Sequence, residues 1–147
     1  MINEINVKVK KLSNLATMPT YASTESAGAD LYSAIERVEI LPHQTVVIKT
    51  GLSFEMPQGI VGLVYARSGL ATKRDLAPAN KVGVIDSDYR GEIMVPIHNH
   101  GNNVQVIECG DRIAQIIFTP YFKAQFDLTE NLTTTVRGES GFGSSGK

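Results

Sequence analysis

The first thing the chain displays is alternation. Across residues 5–10, Ile5, Val7 and Val9 fall on one side and Asn6, Lys8 and Lys10 on the other, the period-two pattern of a half-buried strand. Residues 45–49 and 52–54 read the same way, while 60–66 and 92–99 are apolar enough for fuller burial. Further strands are predicted over 104–107, 112–118 and 121–126, and the β-branched pair Val84 and Ile85 ends another. Turn-forming residues separate these runs: Ala27-Gly28-Ala29, Leu41-Pro42, Thr50-Gly51, Pro57-Gln58-Gly59, His100-Gly101-Asn102 and Cys109-Gly110-Asp111. No helical period lasts three turns, although residues 68–74 could form a short helix. The pattern predicts an all-β fold, a double sheet or barrel such as a jelly roll. Pro96, inside an apolar run, marks an edge strand or a bulge.

After Phe126 the pattern fades into Thr, Ser and Gly, too few large apolar residues to fold alone. Residues 1–126 are therefore predicted to form one β-domain and 127–147 a flexible tail. A length of 147 residues supports one buried core without staples. Fourteen basic and fifteen acidic side chains leave a net charge of −1, which gives no footprint for direct nucleic-acid or membrane binding, so an anion must be caught locally. The alternating N-terminus is unlike a signal peptide and no run approaches bilayer length, so a cytoplasmic protein is expected. Cys109, the single cysteine, is expected to be a small buried hydrophobe.

Five stretches carry candidate chemistry. Residues 27–34 make a tight turn into a strand with Asp30 at the junction. In Tyr65-Ala66-Arg67-Ser68-Gly69-Leu70, a strand end precedes a guanidinium, a hydroxyl and open backbone N–H groups, which suit phosphate oxygens; Ser68 could equally cap the short helix. In residues 83–92, GVIDSDYRGE, a strand ends in a carboxylate, Asp86, beside the flat ring of Tyr89. An acid so placed can orient a water, and a ring can bear on a base or sugar. Asp86, Ser87 and Asp88 are also ordinary turn formers. Gln115 sits on a strand otherwise built for burial and needs a partner, whether a phosphate, a water or a backbone group. In the tail, Phe142 stands between Gly141 and Gly143, downstream of Arg137 and upstream of Ser144 and Ser145. The glycines allow close backbone approach while the ring stacks. Residues 141–147 also imitate the start of a P-loop, but no strand precedes them. His98 and His100 share strand spacing without an evident third ligand, which argues against a metal site.

Taken in this order, the five stretches resemble the signature motifs of the trimeric dUTP pyrophosphatases (dUTPases), and the resemblance runs from Ala27 to Gly146. It implies a jelly-roll-like β-barrel, a homotrimer with shared active sites, and a tail that closes over a neighbouring site. It implies hydrolysis of dUTP to dUMP and pyrophosphate, which limits uracil incorporation into DNA and supplies dUMP, with Mg²⁺ held through the substrate phosphates and no protein metal ligand.

By the same resemblance Asp86 positions the attacking water, Gln115 lies near it, and Asp30 organises the site. Tyr89 lies beneath the deoxyribose and excludes a 2′-hydroxyl, while Asn80 and the backbone through Val84 and Ile85 form a β-hairpin reading the uracil edge. Arg67, Ser68, Gly69 and Gln115 meet phosphates, Arg137 reaches the γ-phosphate from the tail, Phe142 covers the uracil, and Gly143, Ser144 and Ser145 complete the phosphate contacts. Ser140 stands where a glycine is common and Ser145 where threonine is common. The rival enzyme of similar fold, dCTP deaminase, needs a glutamate proton shuttle where this strand ends in Asp86. A trimeric β-domain that binds nucleotides or a partner protein without catalysis, as a regulator would, has no need of Asp86, Gln115, Arg137 and Phe142 together.

Overall fold

The computed structural model describes residues 4–143. Among these described residues eleven strands and one helix follow in order: β1 (Lys8–Lys11), β2 (Ala29–Tyr32), β3 (Arg37–Ile40), β4 (Thr45–Lys49), β5 (Leu52–Glu55), β6 (Ile60–Tyr65), α1 (Ser68–Arg74), β7 (Leu76–Pro78), β8 (Gly83–Ile85), β9 (Met94–Asn99), β10 (Gln105–Glu108) and β11 (Arg112–Pro120). Every pairing is antiparallel, in four small sheets: β1-β5, β10-β3, β4-β9-β7 and β2-β11-β6-β8. They wrap one core in which Leu31, Ile40, Ile48, Leu52, Phe54, Ile93, Ile97, Ile113 and Ile116 are almost wholly removed from water. This is the jelly-roll-like, all-β architecture that the alternation predicts.

Polar groups inside the barrel are matched by partners. Asn99 is fully buried; its Nδ2 donates to the carbonyls of Ile40 (2.9 Å) and Asn103 (2.8 Å), and its Oδ1 accepts from Gly101 N (3.0 Å). Thr50 Oγ1 donates to the Ile93 carbonyl at 2.6 Å. Among the described residues no buried side-chain nitrogen or oxygen lacks a partner, as burial in a low-dielectric interior requires.

Several expectations need correction. The run 121–126 is not a strand: β11 ends at Pro120, and Phe122 and Phe126 are fully exposed. Their alternation mimics a strand, but no sheet edge among the described residues receives them. Pro96 lies in β9, the central strand of its sheet, with no register shift, so it marks neither edge nor bulge. It is tolerated because its carbonyl accepts from Ala79 N (2.7 Å), one residue beyond the end of β7, where a missing N–H breaks no ladder bond. Cys109 is exposed, in the turn between β10 and β11. The hairpin expected around Asn80 is a crossover: β7 pairs with β9 and β8 with β6, so the two arms enter different sheets.

Candidate active site

The middle of the four-stranded sheet gathers the first group of side chains. On β11, Gln115 pairs with Asp30 of β2 on one side and Tyr65 of β6 on the other, so three strands set Asp30, Gln115 and Tyr65 in one row. Directly opposed residues share a face of the sheet. Two residues past Tyr65, Arg67 turns back and its Nε donates to Asp30 Oδ1 at 2.7 Å, with Arg112 Nη1 near Asp30 Oδ2 at 3.5 Å. Asp30 is 8% exposed, a nearly buried carboxylate held between two guanidiniums. Arg67 is also the residue before helix α1, which no side chain caps, so Ser68 is the first helical residue and not the cap.

Gln115 finds its partner in the backbone: its Nε2 donates to the Ala66 carbonyl at 2.9 Å. An amide nitrogen has two hydrogens, so one stays available to a ligand. Asp30, Arg67, Ser68, Gly69 and Gln115 together line a hollow of about 370 Å³, with Gly28 in its wall. Three of the five sequence stretches meet here.

The second group lies on the turn after β8. Tyr89 N donates to the Asp86 carbonyl (3.1 Å), closing the turn 86–89. Arg90 Nη1 donates to the Ser87 carbonyl (2.7 Å), and Ser53 Oγ of β5 donates to the Arg90 carbonyl (2.6 Å). Glu92 Oε1 accepts from Gly51 N at 2.9 Å. The turn is thus fastened to the barrel at both ends while the Asp86 carboxylate stays exposed, with no hydrogen-bond partner among the described residues. The phenol of Tyr89 donates to the Glu92 carbonyl at 3.1 Å, and its ring lies against Gly91. Val84, Ile85, Asp86 and Tyr89 line a separate hollow of about 160 Å³. Asn80 is exposed on the crossover, and Lys81 beside it takes a positive φ of 64°.

The two groups do not meet within one chain. Ile85, one residue before Asp86, pairs with Gly62 of β6, whereas Gln115 pairs with Tyr65. Asp86 is therefore about four residues along the sheet and two strand spacings across from Gln115, about 16 Å at ~3.3 Å per residue and ~4.8 Å per strand. No residue lines both hollows. In the tail, Arg137 Nε donates to the Ser140 carbonyl (3.0 Å), and Arg137, Phe142 and Gly143 are exposed and line neither hollow. Phe142 and Gly143 take positive φ angles of 50° and 86°. Ser144 and Ser145 lie outside the described residues.

Sequence reasoning missed three members. Arg112 was visible only as a strand residue; its link to Asp30 depends on a register shift between Arg112 and Ala114. Gly28 and Gly91 each stand where a β-carbon would collide with a site side chain, Gln115 and Tyr89 respectively. Their place inside the motifs was the available signal, but the neighbour each accommodates is a fact of folding. The histidines form no such group: His98 Nδ1 shares a 2.8 Å hydrogen bond with Thr45 Oγ1, and the His98 and His100 rings meet edge to face at 4.5 Å.

A dUTPase family model matches residues 14–146. The chain is 48% identical over 149 residues to the deoxyuridine 5′-triphosphate nucleotidohydrolase of Desulfitobacterium hafniense, covering 99% of each chain. Among solved structures it resembles the Staphylococcus bacteriophage 80alpha dUTPase with dUPNHPP, at a TM-score of 0.89 and 32% identity over 97% of this chain and 99% of that one. It also resembles a mutant dUTPase from phage phi11 of S. aureus that coordinates a structural Mg(II) ion, at a TM-score of 0.79 and 27% identity over 88% and 99%. With the family model spanning nearly the whole chain and a full-length relative close to half identical, the chain belongs to the dUTPase family.

Proposed function

We propose that the protein is a dUTP diphosphatase that hydrolyses dUTP to dUMP and pyrophosphate in sites shared between the chains of a homotrimer. One observation carries the shared site: Asp86 and Gln115 of one chain are about 16 Å apart, too far to act on a single water or phosphorus, which demands contacts near 3 Å. A second copy that brings its 83–92 turn to the Asp30–Arg67–Gln115 hollow removes the conflict. The exposed apolar residues Phe122, Phe126 and Leu128, which precede the tail's last stretch, support the same assembly, since a lone chain leaves all three in water.

Within such a site Asp86 aims the water for in-line attack on the α-phosphorus. Placement is its main contribution, because a nucleophile already aligned has little entropy left to lose. Arg67, with the Ser68 hydroxyl and the backbone at Gly69, balances phosphate charge as it moves onto the leaving pyrophosphate. Asp30 keeps the Arg67 guanidinium extended toward that charge. Tyr89 packs under the deoxyribose, and Asn80, Val84 and Ile85 present the edge that selects uracil. From the tail, Arg137, Phe142, Gly143, Ser144 and Ser145 close over the bound nucleotide.

Mg²⁺ fits as a companion of the substrate. The polar side chains lining the larger hollow are the Arg67 guanidinium, the Ser26 and Ser68 hydroxyls and the Gln115 amide, and the Asp30 carboxylate there is already engaged by Arg67 and Arg112. That donor set suits phosphate oxygens, and those oxygens would hold the ion, which offsets negative charge on the leaving group. No helix among the described residues is long and apolar enough to cross a membrane, and a cytoplasmic setting suits the substrate.

The deciding experiment is pyrophosphate release from dUTP, dCTP, dTTP and UTP, each with and without Mg²⁺. Release from dUTP alone, faster with Mg²⁺, is expected. Uracil nucleotide formed from dCTP, or no turnover of any of the four, refutes the proposal.

A further inference from the structure

We infer that Gly28 is a positioning residue for Gln115, keeping empty the one volume into which the Gln115 carboxamide must fold to offer its second N–H to substrate. The inference rests on the role proposed above for Gln115, and adds what holds that side chain in place. A β-carbon at Gly28 would stand 2.4 Å from Gln115 Oε1, 3.2 Å from Cδ and 3.4 Å from Cβ. The first distance is far inside van der Waals contact, so the amide oxygen occupies the space that any other residue would fill.

Gly28 is not there for its backbone. Its φ lies outside the left-handed region, unlike those of Gly51, Gly59 and Gly110, so an L-residue could follow the same path. What the position requires is the absence of a side chain. Gln115 is meanwhile fixed from two other directions: its backbone is paired on both flanks, to Asp30 and Tyr65, and its Nε2 is tied to the Ala66 carbonyl. Oε1 resting on Gly28 completes the restraint and decides which way the remaining N–H points.

A methyl group at this point therefore has a specific effect. The clashing atom is the far end of a side chain and can swing aside, so the fold tolerates the change. Swinging aside takes the amide off Ala66 and turns its free N–H away from the hollow. Displacements of about an ångström in such groups cost on the order of tenfold to a hundredfold in rate.

The test is a double-mutant cycle with dUTP and Mg²⁺ on the full chain: wild type, Gly28→Ala, Gln115→Ala and the double variant, each measured for kcat, KM and thermal midpoint. We expect Gly28→Ala to lower kcat on the order of tenfold or more, with a midpoint within about 2 °C of wild type. In the Gln115→Ala background the same substitution should change kcat less than about twofold, because the atoms it would strike are gone. Wild-type turnover in Gly28→Ala, or a further multiplicative loss in the double variant, overturns the inference. Should Gly28→Ala fail to fold, recovery of the fold in the double variant assigns the space to Gln115, and no recovery overturns it. Full activity in Gln115→Ala is a different failure: it removes the role of Gln115 itself and this inference with it.

Discussion

Tyr89 shows how much of the site is decided one residue at a time. Its ring folds back across its own chain because Gly91 has no side chain: a β-carbon there would stand 2.4 Å from Oη and 2.5 Å from Cζ. The phenol is then anchored by its bond to the Glu92 carbonyl, and Glu92 in turn by Gly51. A ring held at both ends is a rigid wall, and sugar selection by exclusion needs rigidity, since a wall that yields admits the larger ligand. Tyr89→Ala should therefore raise kcat/KM for UTP relative to dUTP, by roughly tenfold or more if the lost contact is worth about 1.4 kcal/mol. Steady-state kinetics with the two nucleotides checks it, and an unchanged preference for dUTP excludes Tyr89 as the selector.

At the level of elements, what could be read in advance depended on where each side chain finds its partner. The strands β4, β6 and β11 and the helix α1 show in the sequence because their apolar residues are buried by neighbours in the same chain. Arg37–Ile40 and Leu76–Pro78 are too short for a period to emerge, and their strands exist through pairing with β10 and β9. Residues 121–126 failed for the opposite reason, a strand-like pattern with no receiving edge. Likewise the motifs announced Asp30, Arg67 and Gln115, but only the register of β2, β11 and β6 sets Asp30, Gln115 and Tyr65 in one row.

Two elements carry predictions. On β9, partial burial first, and then the charges of His100, His43 and Lys81, hold His98 below its ordinary pKa of 6.5. A lowered pKa means that the unfolded chain binds a proton the native state refuses. Its stabilising contribution is complete above about 6.5 and is lost as pH falls through the native value. His98→Gln should flatten the fall of the thermal midpoint as pH drops below about 6.5, and a slope as steep as wild type excludes His98 as its source. The tail is the second element. Ending the chain after Asn131 removes Arg137 and Phe142, neither of which contributes to the barrel core. The shortened protein should keep its midpoint and oligomeric state while kcat/KM falls on the order of a hundredfold or more. Normal turnover would exclude the lid.

The whole molecule raises the largest question, because the chemistry proposed for it cannot be completed by one chain. If the turn carrying Asp86 serves the hollow of a different copy, two defective proteins can repair one another. Asp86→Asn lacks the water-aiming acid, Gln115→Ala lacks the amide, and each alone should be nearly inactive. Refolded together in equal amounts, a site works when the chain lending Asp86 is the Gln115 variant and the chain lending Gln115 is the Asp86 variant. Each condition holds half the time, so about a quarter of wild-type activity should return. A site built within a single chain predicts no recovery, since every chain then carries one lesion in its own site. The recovered fraction thus separates the two geometries without a structure of the complex. Its dependence on mixing ratio adds a second check: recovery should follow the product of the two fractions and peak at equal amounts. Activity that stays at the parental level across the whole series would place Asp86 and Gln115 in the service of one chain, against the roughly 16 Å that their strand register puts between them.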